Sequence, residues 1–421
     1  MSPEAAPRAA IVASGSELVR GDRRDRNGPY LASALLDLGI DPAQIRLVGD
    51  AEDDLEQAIR EGMAFDLLCI SGGLGPTHDD RTIELLARAA GVGLEVDDRL
   101  VEHIGAMSRR IAERLKRPYA DFEPGVRKQA SLPVGAVAVE GVGTAPAVVL
   151  DTGACVAVSL PGPPRELQAL WPQVLETEPM RRLLARARRP GRRVAHLYGA
   201  SESLVAQALA EAGGVPEGLD VTICAHDFEI HVDLFVQPGA EARADALEQA
   251  FLGPLAEYVF AREAVATPAL VLRELRARGL SLATAESCTG GLVAARLTDV
   301  PGSSDVFRGG IVAYSNEVKR AELDVPERVL AAHGAVSPET AAAMARGARS
   351  RLGADVAVSV TGVAGPDGGT PEKPVGLVYL HAAGPAGERA LRLDLPGDRE
   401  TVRLRATTAA LHLVRRLVTE A

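Results

Sequence analysis

Short runs of apolar residues alternate along this chain with longer segments in which apolar residues recur every three or four positions. The short runs predict β-strands, and the periodic segments predict α-helices. The predicted strands that precede polar or glycine-rich loops are Ala9 to Ala13, Phe65 to Ser71, Leu280 to Ala283, Phe307 to Tyr314 and Ala354 to Val360. Two predicted helices follow such loops, over Thr82 to Ala90 and Leu292 to Leu297. This alternation is typical of α/β domains with a parallel sheet.

The middle of the chain has a different pattern, with strands and helices in an α+β order. The strands predicted there are Val194 to Tyr198, Val221 to Ala225 and Glu229 to Val236, and the helices are Glu202 to Glu211 and Glu241 to Phe251. Alternating polar and apolar residues in the third strand indicate that one of its faces meets water. The sequence therefore predicts three parts: an α/β domain over 1–172, a small α+β connector over 173–262 and a second α/β domain over 263–421.

The segment after the strand Leu280 to Ala283 is the richest in chemistry, and it contains Glu286, Ser287, Cys288, Thr289, Gly290 and Gly291. A turn between a strand and a helix exposes its residues at the carboxyl edge of a parallel sheet, where α/β proteins hold their ligands. Free helix N–H groups there can bind an anion. A tight turn whose serine or threonine caps the following helix explains the same residues. Cys288 is a rival nucleophile to Ser287, although a lone cysteine beside a strand is more often a packed side chain.

If the strands on either side of this segment run parallel, then Ser287, Tyr314, Lys319 and Thr361 should meet at one edge of the sheet. No histidine is placed to serve as the base of a Ser-His-Asp triad. Lysine can take that role when its pKa falls by ~3 units, a cost of about 4 kcal/mol. The alternative for Lys319 is a solvated position on a helix. Ser304 precedes a strand and should lie at the opposite edge.

Six motifs in this region, AESCTGG, PGSS, YSNEVK, HGAVS, TGVAGPDGG with EKPVG, and GDRE, occur in the order of a known family. From about Thr267 onward the chain resembles the C-terminal domain of the CinA (competence/damage-inducible) proteins, whose stand-alone relatives are nicotinamide mononucleotide deamidases. The resemblance implies a cofactor-free serine amidohydrolase that releases ammonia from nicotinamide mononucleotide. It also implies the catalytic candidates Ser287, Ser304, Tyr314, Lys319 and Thr361. The implied substrate-binding residues are Glu286, Thr289, Gly290, Gly291, Ser337, Gly362 and Arg399, and either Arg399 or the amides of Thr289 to Gly291 would hold the phosphate.

A second glycine-rich loop, Gly72-Gly73-Leu74-Gly75-Pro76-Thr77-His78-Asp79-Asp80, lies between a strand and a helix in the N-terminal part. Glycines allow a backbone to approach a phosphate, whereas two carboxylates at a helix start repel it. Either Asp79 and Asp80 cap the helix, or a divalent cation lies between them and the ligand. Further polar candidates near the ends of other elements are Glu17, Asn27 and Thr144.

Residues 8 to 170 resemble the molybdopterin-binding fold in the version found at the N-terminus of CinA proteins. The resemblance implies a metal-dependent ADP-ribose pyrophosphatase that yields AMP and ribose 5-phosphate. Magnesium, manganese or cobalt would bind Asp79 and Asp80, with potassium as a further candidate cofactor. Gly72, Gly73, Gly75 and Thr77 would contact the substrate together with Glu17, Asn27 and Thr144. This chain has Ser16, Arg26 and Ala147 where family members usually have threonine, threonine and glycine, so a molybdopterin-binding or competence-related scaffold with an inactive N-terminal site is the alternative.

Composition narrows the classes of partner. The 421 residues carry a net charge of −11, which argues against a nucleic-acid surface, and the loop from Gly213 to Gly218 is too acidic for a KH-type RNA contact. Four cysteines without a CxxC pair indicate a reducing compartment. Without a signal peptide or an apolar run of membrane length, we expect a cytoplasmic protein that does not bind a membrane. We also expect a homodimer that does not bind nucleic acid.

Overall fold

The computed structural model describes residues 6–420. The chain forms two compact units, one ending at Gly191 and the other beginning at Arg192. Each unit combines helices with sheets, so the predicted α/β class is confirmed. No helix among the described residues is long and apolar enough to cross a membrane.

Within its described residues, the first unit contains eight strands and eight α-helices. Its strands are β1 (Arg8–Ser14), β2 (Asp41–Val48), β3 (Leu67–Ser71), β4 (Leu94–Val96), β5 (Ser131–Pro133), β6 (Val137–Val139), β7 (Ala147–Asp151) and β8 (Val156–Leu160). Its helices are α1 (Ser16–Val19), α2 (Asn27–Leu38), α3 (Glu52–Gly62), α4 (Thr82–Ala90), α5 (Asp98–Leu115), α6 (Glu123–Gln129), α7 (Pro164–Leu175) and α8 (Glu178–Leu184), with a 3₁₀ turn at Tyr119–Asp121.

The main sheet of this unit has the strand order β2-β1-β3-β8-β7-β6. The first four strands in that order are parallel, and β7 and β6 are antiparallel to their neighbours. Every residue of β3 is buried, because helices cover both faces of a central parallel strand. The registers pair Ala13 with Ser71 and Ser71 with Leu160, so β1, β3 and β8 end at the same edge.

As far as residue 420, the second unit contains nine strands and eight α-helices, with a 3₁₀ turn at Ser303–Asp305. Its strands are β9 (Gly191–Leu197), β10 (Leu219–His226), β11 (Glu229–Val236), β12 (Val259–Ala261), β13 (Leu282–Glu286), β14 (Phe307–Val312), β15 (Val356–Gly362), β16 (Leu377–Gly384) and β17 (Gly387–Asp394). Its helices are α9 (Glu202–Glu211), α10 (Glu241–Leu252), α11 (Thr267–Ala277), α12 (Leu292–Thr298), α13 (Asn316–Leu323), α14 (Glu327–His333), α15 (Pro338–Arg351) and α16 (Arg399–Thr419).

Two sheets organise the second unit, a four-stranded sheet in the order β10-β11-β9-β12 and a five-stranded sheet in the order β14-β13-β15-β16-β17. Within the larger sheet, β13 runs parallel to both β14 and β15. Glu286 at the end of β13 pairs with Val312 and with Val360. The loops after the three strands therefore begin at one edge, as the sequence predicted.

Within this unit, a buried polar contact joins strand β11 of the four-stranded sheet to helix α16. The carboxylate of Glu229, on β11, lies 2.7 Å from Nε2 of His412, on α16. It also accepts a hydrogen bond from the hydroxyl of Thr267 at 2.6 Å. Tyr198 stacks on the His412 ring with centroids 3.8 Å apart. Glu229 is only 5% exposed to solvent.

Candidate active site

Ser287 and Lys319 meet at the carboxyl edge of the five-stranded sheet. Ser287 is the first residue after β13, and Lys319 lies on α13, which follows β14. Their side chains are hydrogen-bonded, with Nζ of Lys319 3.0 Å from Oγ of Ser287. The structure thus pairs the two residues from which the sequence predicted a serine–lysine site.

The amine of Lys319 is buried rather than solvated, with 1% of the residue exposed. Burial lowers the pKa of Lys319, because the charged ammonium loses its hydration. Nζ donates to the carbonyl oxygen of Ala313 at 2.8 Å and lies 3.5 Å from that of Tyr314. Among the described residues no carboxylate forms an ion pair with it. A neutral amine would use its two N–H groups on these carbonyls and direct its lone pair at the Ser287 hydroxyl.

Glu286 caps a helix, although the family resemblance implied a substrate-binding role. Its carboxylate is 1% exposed and accepts hydrogen bonds from the N–H groups of Gly291, Val293 and Ala294 at 2.9 to 3.1 Å. A carboxylate at this position satisfies the free amides and the dipole at the start of α12. The expectation that the amide of Gly291 binds a phosphate is therefore wrong, since Glu286 already occupies it.

The turn itself depends on its two glycines. Gly290 and Gly291 have φ values of 63° and 98°, in the left-handed region that side chains disfavour. The amide of Gly290 donates to the carbonyl oxygen of Ser287 at 3.1 Å, which closes the turn that follows Ser287. Thr289 is wholly buried, and its hydroxyl has no partner among the described residues.

Cys288 is buried beside the pair. Burial raises the pKa of its thiol to about 11, so it stays protonated at neutral pH. Only the thiolate is strongly nucleophilic. The structure therefore favours the packed-side-chain interpretation over the rival-nucleophile interpretation.

Tyr314 and Arg399 lie at the same edge and contact each other. Nη2 of Arg399 is 2.9 Å from the hydroxyl of Tyr314, and Nη1 is 2.7 Å from the carbonyl oxygen of Gly365, in the loop after β15. Tyr314 is 62% exposed. Arg399 forms no ion pair with Asp398, whose carboxylate instead caps α16 through the amide of Thr401. A guanidinium group with three unused N–H donors thus faces solvent next to the pair.

The remaining candidates of this domain have local roles. Thr361, at the end of β15, is buried and donates to the carbonyl oxygen of Ala335 at 2.7 Å. Ser337 is the N-cap of α15 and accepts from the amide of Thr340. Gly362 ends β15, where a Cβ would overlap Leu377 and Val378. Ser304 is exposed in the 3₁₀ turn before β14, at the edge opposite Ser287, as the topology predicted.

Arg403, on α16, was not predicted from the sequence. Its Nε donates to the carbonyl oxygen of Cys288 at 3.1 Å, and its Nη2 donates to that of Thr289 at 2.8 Å. These two bonds fix the backbone that follows Ser287. Only its position four residues after Arg399, on the same helix face, could have drawn attention to it.

The N-terminal candidates line two different cavities. A cavity of about 180 Å³ is lined by Gly73, Gly75, Asp80 and Lys128. A larger one of about 660 Å³, at the ends of β1, β3 and β8, is lined by Glu17 and Asn27 among others. Gly72 lies between these regions with φ 107°, and a Cβ there would overlap the carbonyl oxygen of Ser14.

The aspartate pair does not form a metal site by itself. Among residues 6–420, no group of three or more His, Cys, Asp or Glu side chains is arranged to hold a metal ion. Both carboxylates accept hydrogen bonds from Thr77. Asp80 accepts from the Thr77 amide at 2.9 Å and from the Thr77 hydroxyl at 2.6 Å, and Asp79 also accepts from that hydroxyl. Lys128 donates to the carbonyl oxygen of the same threonine. Neither carboxylate caps α4, whose N-cap residue is Arg81 and which has no side-chain cap hydrogen bond. The binding of magnesium, manganese or cobalt by Asp79 and Asp80 stays a prediction.

Asn27 is the most enclosed of the other N-terminal candidates. Its side-chain amide donates to the hydroxyl of Ser71 at 2.7 Å and to the carbonyl oxygen of Gly162 at 2.8 Å, while its buried Oδ1 has no partner among the described residues. Thr144 is half-buried before β7. Ala147 is fully buried in that strand and packs in the core, so its Cβ is not directed at a ligand.

Fold and site together define an α/β protein with a molybdopterin-binding-like unit and a unit that carries a buried serine–lysine pair. A family model described as the CinA C-terminal domain matches residues 265–418, and one described as a probable molybdopterin binding domain matches residues 10–181. The chain belongs to the family of CinA-like proteins.

Relatives match it over nearly their full length. A CinA-like protein of Mycolicibacterium paratuberculosis is 41% identical across 98% of this chain and 99% of its own. The CinA-like protein of Mycobacterium tuberculosis is 40% identical across 97% of both. Among solved structures, competence/damage inducible protein CihA from Agrobacterium tumefaciens is 42% identical and covers 36% of this chain and 93% of its own, with a TM-score of 0.35.

Proposed function

We propose that the C-terminal domain hydrolyses the carboxamide of nicotinamide mononucleotide, giving nicotinate mononucleotide and ammonia. The observation that carries the proposal is the buried amine of Lys319, 3.0 Å from the hydroxyl of Ser287. A serine hydroxyl becomes a nucleophile only when a nearby base takes its proton. Lys319 is a suitable base because burial lowers its pKa and no acidic partner among the described residues holds its proton.

The chemistry follows from this pair. The Ser287 hydroxyl gives its proton to Nζ of Lys319 while Oγ attacks the amide carbon, forming a tetrahedral intermediate. The ammonium of Lys319 then returns the proton to the amide nitrogen, and the C–N bond breaks to release ammonia. Water then gives a proton to the same amine and attacks the resulting ester. As the C–Oγ bond breaks, the ammonium of Lys319 returns the proton to Oγ of Ser287, and the acid that is released ionises to the carboxylate. We assign the oxyanion to the N–H groups of Cys288 and Thr289, which follow Ser287 directly, because those of Gly290 and Gly291 have acceptors already.

Arg399 is the residue that we assign to the substrate phosphate. Its contacts with Tyr314 and Gly365 hold the guanidinium in place, and three further N–H groups remain for phosphate oxygens. This assignment replaces the amides of Gly290 and Gly291, which already donate to the carbonyl oxygen of Ser287 and to the carboxylate of Glu286.

Release of ammonia from nicotinamide mononucleotide by the full-length protein tests the proposal. We expect Ser287→Ala and Lys319→Ala each to lower kcat by at least ~10²-fold, since each removes a group that acts on the reacting atoms. Ser304→Ala is the matched control, and it should keep its activity because that serine is exposed at the other edge of the sheet. Loss of activity in Ser304→Ala with retention in Ser287→Ala would show that the nucleophile is assigned incorrectly.

A second activity is favoured by the larger N-terminal cavity. Its volume of about 660 Å³ is within the range of nucleotide-sized ligand sites. We propose that this unit binds ADP-ribose there and hydrolyses it to AMP and ribose 5-phosphate. Formation of AMP by the full-length protein, with and without magnesium, manganese or cobalt, tests the hydrolysis. A protein that binds ADP-ribose but yields no AMP in any of these conditions would have a binding site only.

A further inference from the structure

The larger N-terminal cavity has an unusual concentration of arginine. It lies where β1, β3 and β8 end, and its wall includes Arg23, Arg24 and Arg26 from the loop between α1 and α2. The chain as a whole is acidic, with a net charge of −11. Three guanidinium groups on one ligand-sized cavity therefore stand out from the rest of the surface.

These arginines have no partner within the described part of the chain. None of the three forms an ion pair or a side-chain hydrogen bond there, whereas other arginines of the N-terminal unit are paired, such as Arg81 with Glu84 and Arg88 with Glu52. Unpaired guanidinium groups offer five N–H donors each in a geometry that suits phosphate oxygens.

The acidic residues on the same wall form no ion pair with these arginines within the described part of the chain. The carboxylate of Asp25 accepts from the amides of Asn27 and Gly28 and caps α2. Glu17 is exposed, and an unengaged carboxylate of this kind is suited to ribose hydroxyls. Asn27 lines the cavity, and its buried Oδ1 lacks a donor within residues 6–420. The wall thus combines cationic donors with acceptors, as a sugar phosphate requires.

On the basis of the proposed N-terminal function, we infer that Arg23, Arg24 and Arg26 bind the diphosphate of a nucleotide sugar in this cavity without a divalent cation. A diphosphate needs neutralisation, which a metal ion or guanidinium groups can supply. Here the predicted cation ligands lie elsewhere, since Asp80 lines the smaller cavity and both aspartates bind Thr77. The three arginines are the cationic groups that face the larger cavity.

Calorimetric titration of the full-length protein with ADP-ribose, once in excess chelator and once in magnesium, tests this inference. We expect the two Kd values to agree within about threefold. The triple variant Arg23→Gln, Arg24→Gln, Arg26→Gln should weaken binding by at least about 30-fold in chelator, because it removes several charge-assisted hydrogen bonds. Arg20→Gln is the matched control, since Arg20 is exposed just before this loop and does not line the cavity. It should bind as the unaltered chain does.

Thermal unfolding of each variant checks that the fold is intact. Binding that disappears in chelator, or a triple variant that binds as tightly as the unaltered chain, would overturn the inference. An equal loss in Arg20→Gln would do the same, because it would reveal a general charge effect. Titration with inorganic diphosphate in chelator separates the two proposals. If diphosphate binds through the arginines and ADP-ribose does not bind, the arginine site stands and the ADP-ribose function fails.

Discussion

The side chain of Lys319 shows how a single residue changes its chemistry through its surroundings. In sequence it is one lysine in a polar helix, and solvation was the alternative prediction. In the structure its amine is buried among two carbonyl oxygens and a hydroxyl. Burial penalises the ammonium form, so the amine is available as a base at a lower pH than an exposed lysine would be.

This leads to a prediction for the pH dependence of deamidation. The neutral amine is the active form, so kcat/KM should rise with pH, level off above the pKa of Lys319, and fall as pH drops below it. Because burial lowers that pKa, the rise should end at a lower pH than the titration of an exposed lysine. Initial rates between about pH 6 and about pH 10 measure it.

Lys319→Arg is the informative variant here, because arginine keeps a positive charge that does not titrate in this range. It should be inactive throughout the profile. A profile that is flat over the whole range, or one whose rise coincides with that of free lysine, would contradict the role of the buried amine.

At the scale of elements, helix α16 positions the turn that carries Ser287. Two bonds from Arg403 hold the carbonyl oxygens of Cys288 and Thr289. These are the residues whose N–H groups we assign to the oxyanion. A small displacement of such groups costs much of the rate without much change in substrate affinity.

We therefore predict that Arg403→Met lowers kcat by about 10- to 100-fold and changes KM by less than threefold. Steady-state kinetics with nicotinamide mononucleotide measure both parameters. Arg405→Met, on the same helix, is the control, since Arg405 contacts the ring of Phe228 and not the turn. A variant of Arg403 that raised KM and kept kcat would instead indicate a direct contact with substrate.

Elements with a clear pattern were predicted well from the sequence. The helix Thr82–Ala90 and the strand Glu229–Val236 have the predicted bounds. The strand predicted over Leu280 to Ala283 is found at Leu282–Glu286, because Thr284 and Glu286 are buried polar residues that the apolar pattern excludes. Parallel strand order predicted that Ser287 and Lys319 lie at one edge of the sheet, whereas their pairing was implied by the family resemblance.

Other features of the site could not be predicted, since they depend on where helix ends point in space. Glu286 was expected at the substrate, yet it caps α12, and no spacing in the sequence distinguishes these two roles. Nor does the sequence show that the carboxylates of Asp79 and Asp80 accept hydrogen bonds from the nearby hydroxyl of Thr77. The division into two N-terminal cavities is likewise a tertiary property.

At the scale of the whole molecule, the second unit depends on a buried carboxylate. Burial alone would raise the pKa of Glu229, but hydrogen bonds from His231, His412 and Thr267 outweigh it and lower the pKa to about 2. Burial also lowers the pKa of His412, whose Nδ1 has no partner among the described residues, so the ring is neutral and donates through Nε2.

Both shifts make the second unit sensitive to acid. A depressed pKa contributes stability above the unfolded value, which is lost as pH falls towards the folded value. For Glu229 this stability is lost between pH 4.5 and about pH 2, and for His412 the loss begins as the pH falls below 6.5. We predict that the free energy of unfolding of this unit decreases as pH falls from about 7 to about 4.

Glu229→Ala should lower the free energy of unfolding at neutral pH by ~2–4 kcal/mol, because it leaves the donors of Thr267 and His412 buried without an acceptor. Urea denaturation, followed by the fluorescence of a probe on Cys224, the exposed cysteine among the described residues, measures it. Glu217→Ala, at an exposed position of the same part of the chain, is the control. Equal stability of the two variants would contradict the role of Glu229.

The contact between Glu229 and His412 also sets where the chain can be divided. A fragment that began at residue 263 would retain His412 and Thr267 but lose their shared acceptor, and the ring of His412 would lose Tyr198. In such a fragment His412, on the final helix, would be exposed to solvent, whereas it is buried in the intact chain. For expression or crystallisation of the serine–lysine domain, the smallest segment that keeps this helix in its native surroundings therefore begins at Arg192.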